Sequence, residues 1–212
     1  MRNLKIDKKV RKYALLAVLA LMLISVVALA DVIYYYKGVI TATVTKQPLE
    51  FYSGSEFKYN GEEYPLNSYV SKEGTVYADF DAESWGFTAQ ISISNASYIY
   101  FYHALGLVPS KSGSIYVANV EIPSSNEIIK QLTIIIQDAR TDQSVCSFTV
   151  ISNGAKQTPT SACTLSADTP YYISILVKPM HNLSPGLTET ITIYFGYNIV
   201  SNAAVPLPPI SG

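Results

Sequence analysis

Two kinds of apolar pattern meet near residue 30. Up to Ala30 the apolar residues run on without a period, as YALLAVLALMLISVVALA over residues 13–30. From Val32 onward they mostly alternate with polar ones at a period of two, which marks strands rather than helices. In WGFTAQISISN, Phe87, Ala89, Ile91 and Ile93 share one face, and Thr88, Gln90, Ser92 and Ser94 share the other. In TETITIYFGYNIV, Ile191, Ile193, Phe195, Tyr197 and Ile199 alternate with Thr190, Thr192, Tyr194, Gly196 and Asn198. Further strand-like runs are EFKY, NSYVS, GTVYADF, SYIYFYH, SIYVANVEI, QLTIIIQD, SVCSFTV, SACTLSA and YYISILVKP. Turn signals separate them at Asn60-Gly61, Glu73-Gly74, Pro109-Ser110, Pro123-Ser124, Asn153-Gly154, Asp168-Thr169-Pro170 and Ser184-Pro185-Gly186. About ten short, evenly spaced strands predict an all-β fold, a jelly-roll-like antiparallel β-sandwich. The one helix-like piece, Asn126 to Lys130, is short enough for a single turn.

The pattern divides the chain into four segments: a leader (1–30), an N-terminal strand (31–45), the sandwich (46–203) and a proline-rich, extended tail (204–212). Charge sharpens the division. The leader carries six Lys/Arg and one acid, whereas the rest carries nine Lys/Arg and fifteen acids. MRNLKIDKKVRK is a basic flank, the apolar run follows, and Ala28-Leu29-Ala30 has the small-x-small form of a signal-peptidase site. Two readings stand. The leader is a signal peptide cut after Ala30, or Tyr13 to Ala30 is a retained membrane helix of just-spanning length. A type IV pilin leader fits poorly, because Arg11-Lys12-Tyr13-Ala14 puts no small residue directly after the basic cluster. The first two readings place the body outside the cytoplasm. A mildly acidic body offers no basic patch for nucleic acid.

Parity from Val32 is the most informative feature. Val32, Tyr34, Tyr36, Gly38, Ile40, Ala42 and Val44 fall on one face, all apolar or glycine. Ile33, Tyr35, Lys37, Val39, Thr41, Thr43 and Thr45 fall on the other. As one strand this is about 13 residues, or roughly 43 Å, against the usual 5–6 residues of a strand. Gly38 splits it into DVIYYYK and VITATVT; the second piece reads as the domain's own first strand. The first piece, apolar on both faces at a chain end, is an aggregation hazard unless it is used. Its physical use is β-augmentation of a neighbour, a head-to-tail contact that propagates. The competing reading makes residues 31–36 the outer end of an uncleaved membrane helix.

Candidate chemistry is sparse. Cys146 and Cys163 fit an exported body and predict a disulfide closing a loop of about 17 residues, worth roughly 3 kcal/mol; the alternative is two buried thiols. His103 and His181 are the only histidines, neither in a ligand-spaced motif, and no GxSxG or P-loop occurs. The expectation is a non-enzyme without cofactor. Asp79, Asp81 and Glu83 share one strand face: a solvated strand end, or a weak candidate for Ca²⁺. Asn95-Ala-Ser97 and Asn182-Leu-Ser184 are candidate glycosylation sequons. Tyr98, Tyr100 and Tyr102 line one face of a strand whose other face carries Ile99 and Phe101, so both faces are fairly apolar. Such a strand is buried on both sides, faces a partner, or is a Tyr-rich exterior strand of the sandwich.

The Sec-type leader, the A-x-A end, the short aromatic stretch and the strand ITATVTKQPLEF (residues 28–51), on a Tyr-rich, helix-poor body, resemble archaeal bundling pilins. Those are related to TasA/camelysin-like biofilm matrix fibre proteins of bacteria. The thread subunits of thermoacidophilic archaea are a rival resemblance. The resemblance implies a jelly-roll subunit polymerising with identical copies by donor-strand complementation into bundling extracellular filaments. Carried onto this chain, the donor strand is about Asp31 to Val44, with Val32, Tyr34, Tyr36, Ile40, Ala42 and Val44 presented to the acceptor. A different class of function, a membrane-anchored surface module binding carbohydrate or a protein partner, rests on leader retention. A hydrolase rests only on analogy with the many functions of such folds.

Overall fold

In the computed structural model the described residues are 47–70, 76–83, 86–124, 126–184, 187–200 and 203–205, with positions 9, 12, 13 and 16 of the leader. The chain divides into two compact units, Met1–Val44 and Thr45–Gly212. In the first, the four described residues have helical backbone. Among the described residues no helix is long and apolar enough to cross a membrane. The bond after Ala30 and the expected donor residues Val32, Tyr34, Tyr36, Ile40, Ala42 and Val44 lie outside the described residues.

The second unit is all-β. Its strands are β1 (Leu49–Tyr52), β2 (Glu56–Tyr59), β3 (Glu62–Pro65), β4 (Tyr69–Val70), β5 (Val76–Glu83), β6 (Gly86–Ile91) and β7 (Ile99–Pro109). They continue as β8 (Gly113–Glu121), β9 (Ile129–Asp138), β10 (Ser144–Ser152), β11 (Ala155–Lys156), β12 (Cys163–Leu165), β13 (Tyr171–Pro179) and β14 (Thr192–Asn198). Every pairing is antiparallel. A curled six-stranded sheet runs β1-β7-β13-β9-β10-β11. Two three-stranded sheets, β12-β8-β14 and β4-β5-β6, and the β2-β3 hairpin complete the unit.

One core joins the six-stranded sheet to the two smaller ones. Leu105, Leu107, Ile173, Val177, Ile134, Ile136, Phe148 and Val150 from the large sheet meet Ile115, Val117, Val120 and Leu165 from β8 and β12, and Ala78 and Phe80 from β5. Burial of these side chains stabilises the fold by about 1.5–3 kcal/mol each before the entropy of ordering is subtracted. The other face of the large sheet is covered near Gly106, where the Phe57 ring of β2 fills the space a side chain would take. Phe57, Tyr64, Leu66, Val108 and Tyr172 form this second, smaller core.

The disulfide forms between Cys146 and Cys163, with Cα atoms 6.1 Å apart. It does not close a hairpin. Asn153-Gly154, both at positive φ, turns β10 into β11, and the chain then crosses to the other layer before Cys163. The bridge therefore ties β10 of the large sheet to β12 of the facing one. The helix-like reading of residues 126–130 is corrected: Asn126 closes a turn through its Oδ1, which accepts from Ile129 N–H at 3.1 Å, and β9 begins at Ile129. The run SYIYFYH also extends further than its alternation suggests. β7 continues through Gly106 to Pro109, because the Gly106 gap is filled by Phe57.

Candidate assembly site

β8 and β14 are neighbours with contrasting surroundings. The register sets Val120 opposite Ile193, Val117 opposite Phe195 and Ile115 opposite Tyr197. On β8 these core-facing side chains are 0–2% exposed. Their partners on β14 are only partly buried, though they pack against the same core. The difference is one of neighbours. β8 is flanked by β12 and β14, whereas β14 pairs with β8 alone among the described strands. On the outward face Tyr116 lies over Gly196, which makes that side of the pair tight.

β6 has the same condition. It ends the β4-β5-β6 sheet, and of its residues only Gly86 is buried. Phe87, Ile91 and, just beyond, Ile93 are partly buried against the core. A line of rings connects the regions: Phe51 of β1 to Phe87 at 5.8 Å, and Phe87 to Phe195 of β14 at 6.2 Å. β6 and β14 thus border one stretch of core without being hydrogen-bonded to each other. A surface groove of about 480 Å³ lies beside β1, lined by Gln47, Leu49, Phe51, Tyr52 and the Ala82-Glu83 end of β5.

The chain's entry into β1 is well defined. Leu49 pairs with Pro109, and the pairing continues outward as Ser110 N–H donates to Pro48 O at 2.8 Å. Ser110 Oγ also donates to Gln47 O at 3.3 Å. Gln47 precedes a proline, which favours extended backbone. The backbone bends at Pro48 as it enters β1.

A second feature was not legible in the sequence. Midway along β7, Tyr102, His103 and Ala104 together oppose Ser174 of β13, since Phe101 pairs with Ile175 and Leu105 with Ile173. His103 sits at φ +49°, a left-handed conformation that is uncommon outside glycine and enriched in Asn, Asp and His. Its ring is stacked between Tyr102 and Tyr172, with centroids 3.7 Å from each. Nε2 lies 2.8 Å from Asp142 Oδ1, and the Tyr102 hydroxyl donates to Asp142 Oδ2. Hydrogen bonds from Tyr102 and then His103 hold the Asp142 carboxyl below its ordinary pKa, and the carboxylate pushes the Tyr102 phenol up to about 12. Buried Ser174 Oγ accepts from His103 N–H at 2.9 Å and donates to Gln137 Oε1 at 2.5 Å. Both bonds fasten the bulge, and neither reaches the imidazole ring, so Ser174 and His103 are not arranged as nucleophile and base. A histidine at the end of a Tyr-rich strand was the one available signal.

The remaining sequence candidates are separate. Phe101 is buried, as its parity suggests, while Tyr98 and Tyr100 are exposed and Lys178 Nζ sits 4.9 Å over the Tyr98 ring. Asp79, Asp81 and Glu83 lie exposed along β5, and no group of three His, Cys, Asp or Glu among the described residues converges to hold a metal. His181 is exposed. The sequons, far apart in sequence, share one loop cluster: Asn95 Oδ1 accepts from Leu183 N–H at 2.9 Å, beside exposed Asn182.

The second unit is an all-β antiparallel domain in which, among the described strands, β14 and β6 form two long, partly buried sheet edges over one core. Compared with models of known protein families and with curated protein sequences, the chain matches none.

Proposed function

We propose that this chain is a secreted, non-enzymatic structural subunit of an extracellular filament, a pilus or biofilm matrix fibre. In this reading the leader is removed after Ala30, the body is a jelly-roll-like sandwich, and the freed strand 31–44 completes a sheet of the next subunit. The observation that carries it is the row Ile193, Phe195 and Tyr197, core-facing yet only partly buried on the open edge of β14. An edge of this kind is a template for an added strand, with main-chain hydrogen bonds for affinity and alternate side chains for specificity. Donor and acceptor surfaces differ, so the contact is heterologous and repeats without closing. Identical subunits are the partners, and lateral contacts between filaments account for bundling. Deleting residues 31–37 should leave a folded body that no longer forms filaments by electron microscopy. Normal filaments from that deletion would sink the reading.

A second reading is a membrane-anchored surface module. It is favoured by exposed Tyr98 and Tyr100 beside Lys178, a surface suited to carbohydrate or a protein partner. Sequencing the natural amino terminus separates the two. A terminus at Asp31 supports the filament, and an intact leader supports the anchor.

A further inference from the structure

Resting on the filament reading, we infer where the incoming strand goes. Residues 31–44 of a second copy lie between β14 and β6 and join the two three-stranded sheets into one continuous sheet, ordered β12-β8-β14-donor-β6-β5-β4. A pair of small sheets facing one large sheet thereby becomes two sheets of comparable width.

The choice of edges follows from strand length. Of the strands that end a layer, β11 and β4 have two residues each, β12 three and β1 four. Short edges are poor templates. β14 has seven residues and β6 six, and these are the long edges among the described strands. They border the same core, linked by Phe87 and Phe195. Each presents a core-facing apolar row that remains partly accessible: Phe87 and Ile91 on one side, Ile193, Phe195 and Tyr197 on the other. A strand laid between them would meet apolar neighbours on its inner face and hydrogen-bonding backbone on both flanks.

The supply matches the demand. Val32, Tyr34, Tyr36, Gly38, Ile40, Ala42 and Val44 provide an uninterrupted inward face. At about 3.3 Å per residue, 14 residues reach roughly 46 Å, and seven of them cover β14. Half the segment therefore fills the lane while the other half spans from the parent subunit. The donor is a second copy because the filament reading requires a contact between subunits that repeats without closing.

The test is disulfide scanning in the processed, full-length protein with its native bridge intact. Tyr194→Cys on β14 and Thr88→Cys on β6 report from exposed, outward positions on the two walls. Each is combined in turn with Tyr35→Cys, Val39→Cys or Thr41→Cys on the outward face of the donor. Lys156→Cys on β11 replaces the wall position as the control. Mild oxidation of assembled filaments should give covalent ladders with both walls and none with the control. Filaments that form but cross-link at neither wall would overturn the lane and leave the filament reading standing. Cross-links confined within single chains would overturn donation by a second copy. If the natural processed protein forms no filament, both readings fall. Hydrogen exchange on unmodified filaments gives an independent readout: amides of both β14 and β6 should slow about tenfold or more relative to monomer. Protection gained only on other strands would refute the assignment.

Discussion

β13 and β14 are written in similar residues and end in different circumstances. YYISILVKP and TIYFGYN are both rich in β-branched and aromatic side chains. β13 lies between β7 and β9, and seven of its nine residues are buried. Among the described strands β14 lies beside β8 alone, and none of its seven is buried. What separates them is the number of neighbouring strands, not composition. The large sheet has saturated its apolar surface and holds the fold. The smaller layer retains apolar surface that a further strand can cover, so assembly is assigned there. The proposed assembly face thus lies in the layer that faces the large sheet.

That contrast can be broken from either side. Ile173→Ala, buried on β13, should cost about 3–4 kcal/mol in denaturant unfolding of the monomer. Phe195→Ala on β14 should cost the monomer only about 1 kcal/mol, since its ring is already partly solvated, while strongly impairing filament growth. Equal monomer costs would mean that the two layers are equally saturated. Removing the bridge that ties the layers, with Cys146→Ser and Cys163→Ser together, should cost about 3 kcal/mol. Because the link runs between sheets, the double variant should also loosen β12, seen as faster amide exchange there than in β13.

Gly106→Val probes the other face of the large sheet. A Cβ there would stand 2.4 Å from the Phe57 ring, so the β2–β3 hairpin must shift, at about 2 kcal/mol. The effect should be local: hairpin amides lose protection while β13 and β9 keep theirs. Filament formation that responds to this variant as strongly as to Phe195→Ala would place assembly on the wrong layer.

The smallest effects are those of pH at the His103 bulge. Asp142 is held below the ordinary carboxylate value by Tyr102 first and His103 second. Its contribution is therefore present above the unfolded value and is lost as pH falls below about 4. Tyr102 is raised to about 12 by the same hydrogen bond, so its contribution is complete below about pH 10 and is lost as pH rises from there towards 12. Tyr102→Phe should flatten both limbs of the stability–pH curve, and Asp142→Asn should too. A variant that changes only one limb would show that the two groups are not coupled. Asp142 is exposed and Tyr102 half-buried, so the shifts should be small beside those of Ile173 or the disulfide.

Most strands were readable from alternation, as β5 to β10, β13 and β14 illustrate, because a half-buried strand imposes a period of two on its sequence. The reversals at Asn60-Gly61 and Asn153-Gly154 were readable because left-handed positions favour those residues. The second half of β7 was less readable, since Gly106 and Pro109 look like breakers until Phe57 is placed over the glycine. The pairing of Cys146 with Cys163 followed from there being two cysteines in the chain, but its course between layers did not. The bulge at His103 left almost no trace, because it depends on Ser174, Gln137 and Asp142 from other strands.

By itself, then, the sequence determined what is local: strand periods, turn positions, the leader's charge asymmetry and the apolar even face of residues 32–44. Each of these is a property of neighbours along the chain, recorded in side-chain alternation and backbone preference. Only the tertiary structure decided which strands share a sheet, that the disulfide joins two layers, and that β14 and β6 end their sheets over a common core among the described strands. Those outcomes depend on pairings between strands distant in sequence, such as Val120 with Ile193 and Leu107 with Tyr171, and a single strand's sequence is nearly the same whether it ends with one neighbour or two.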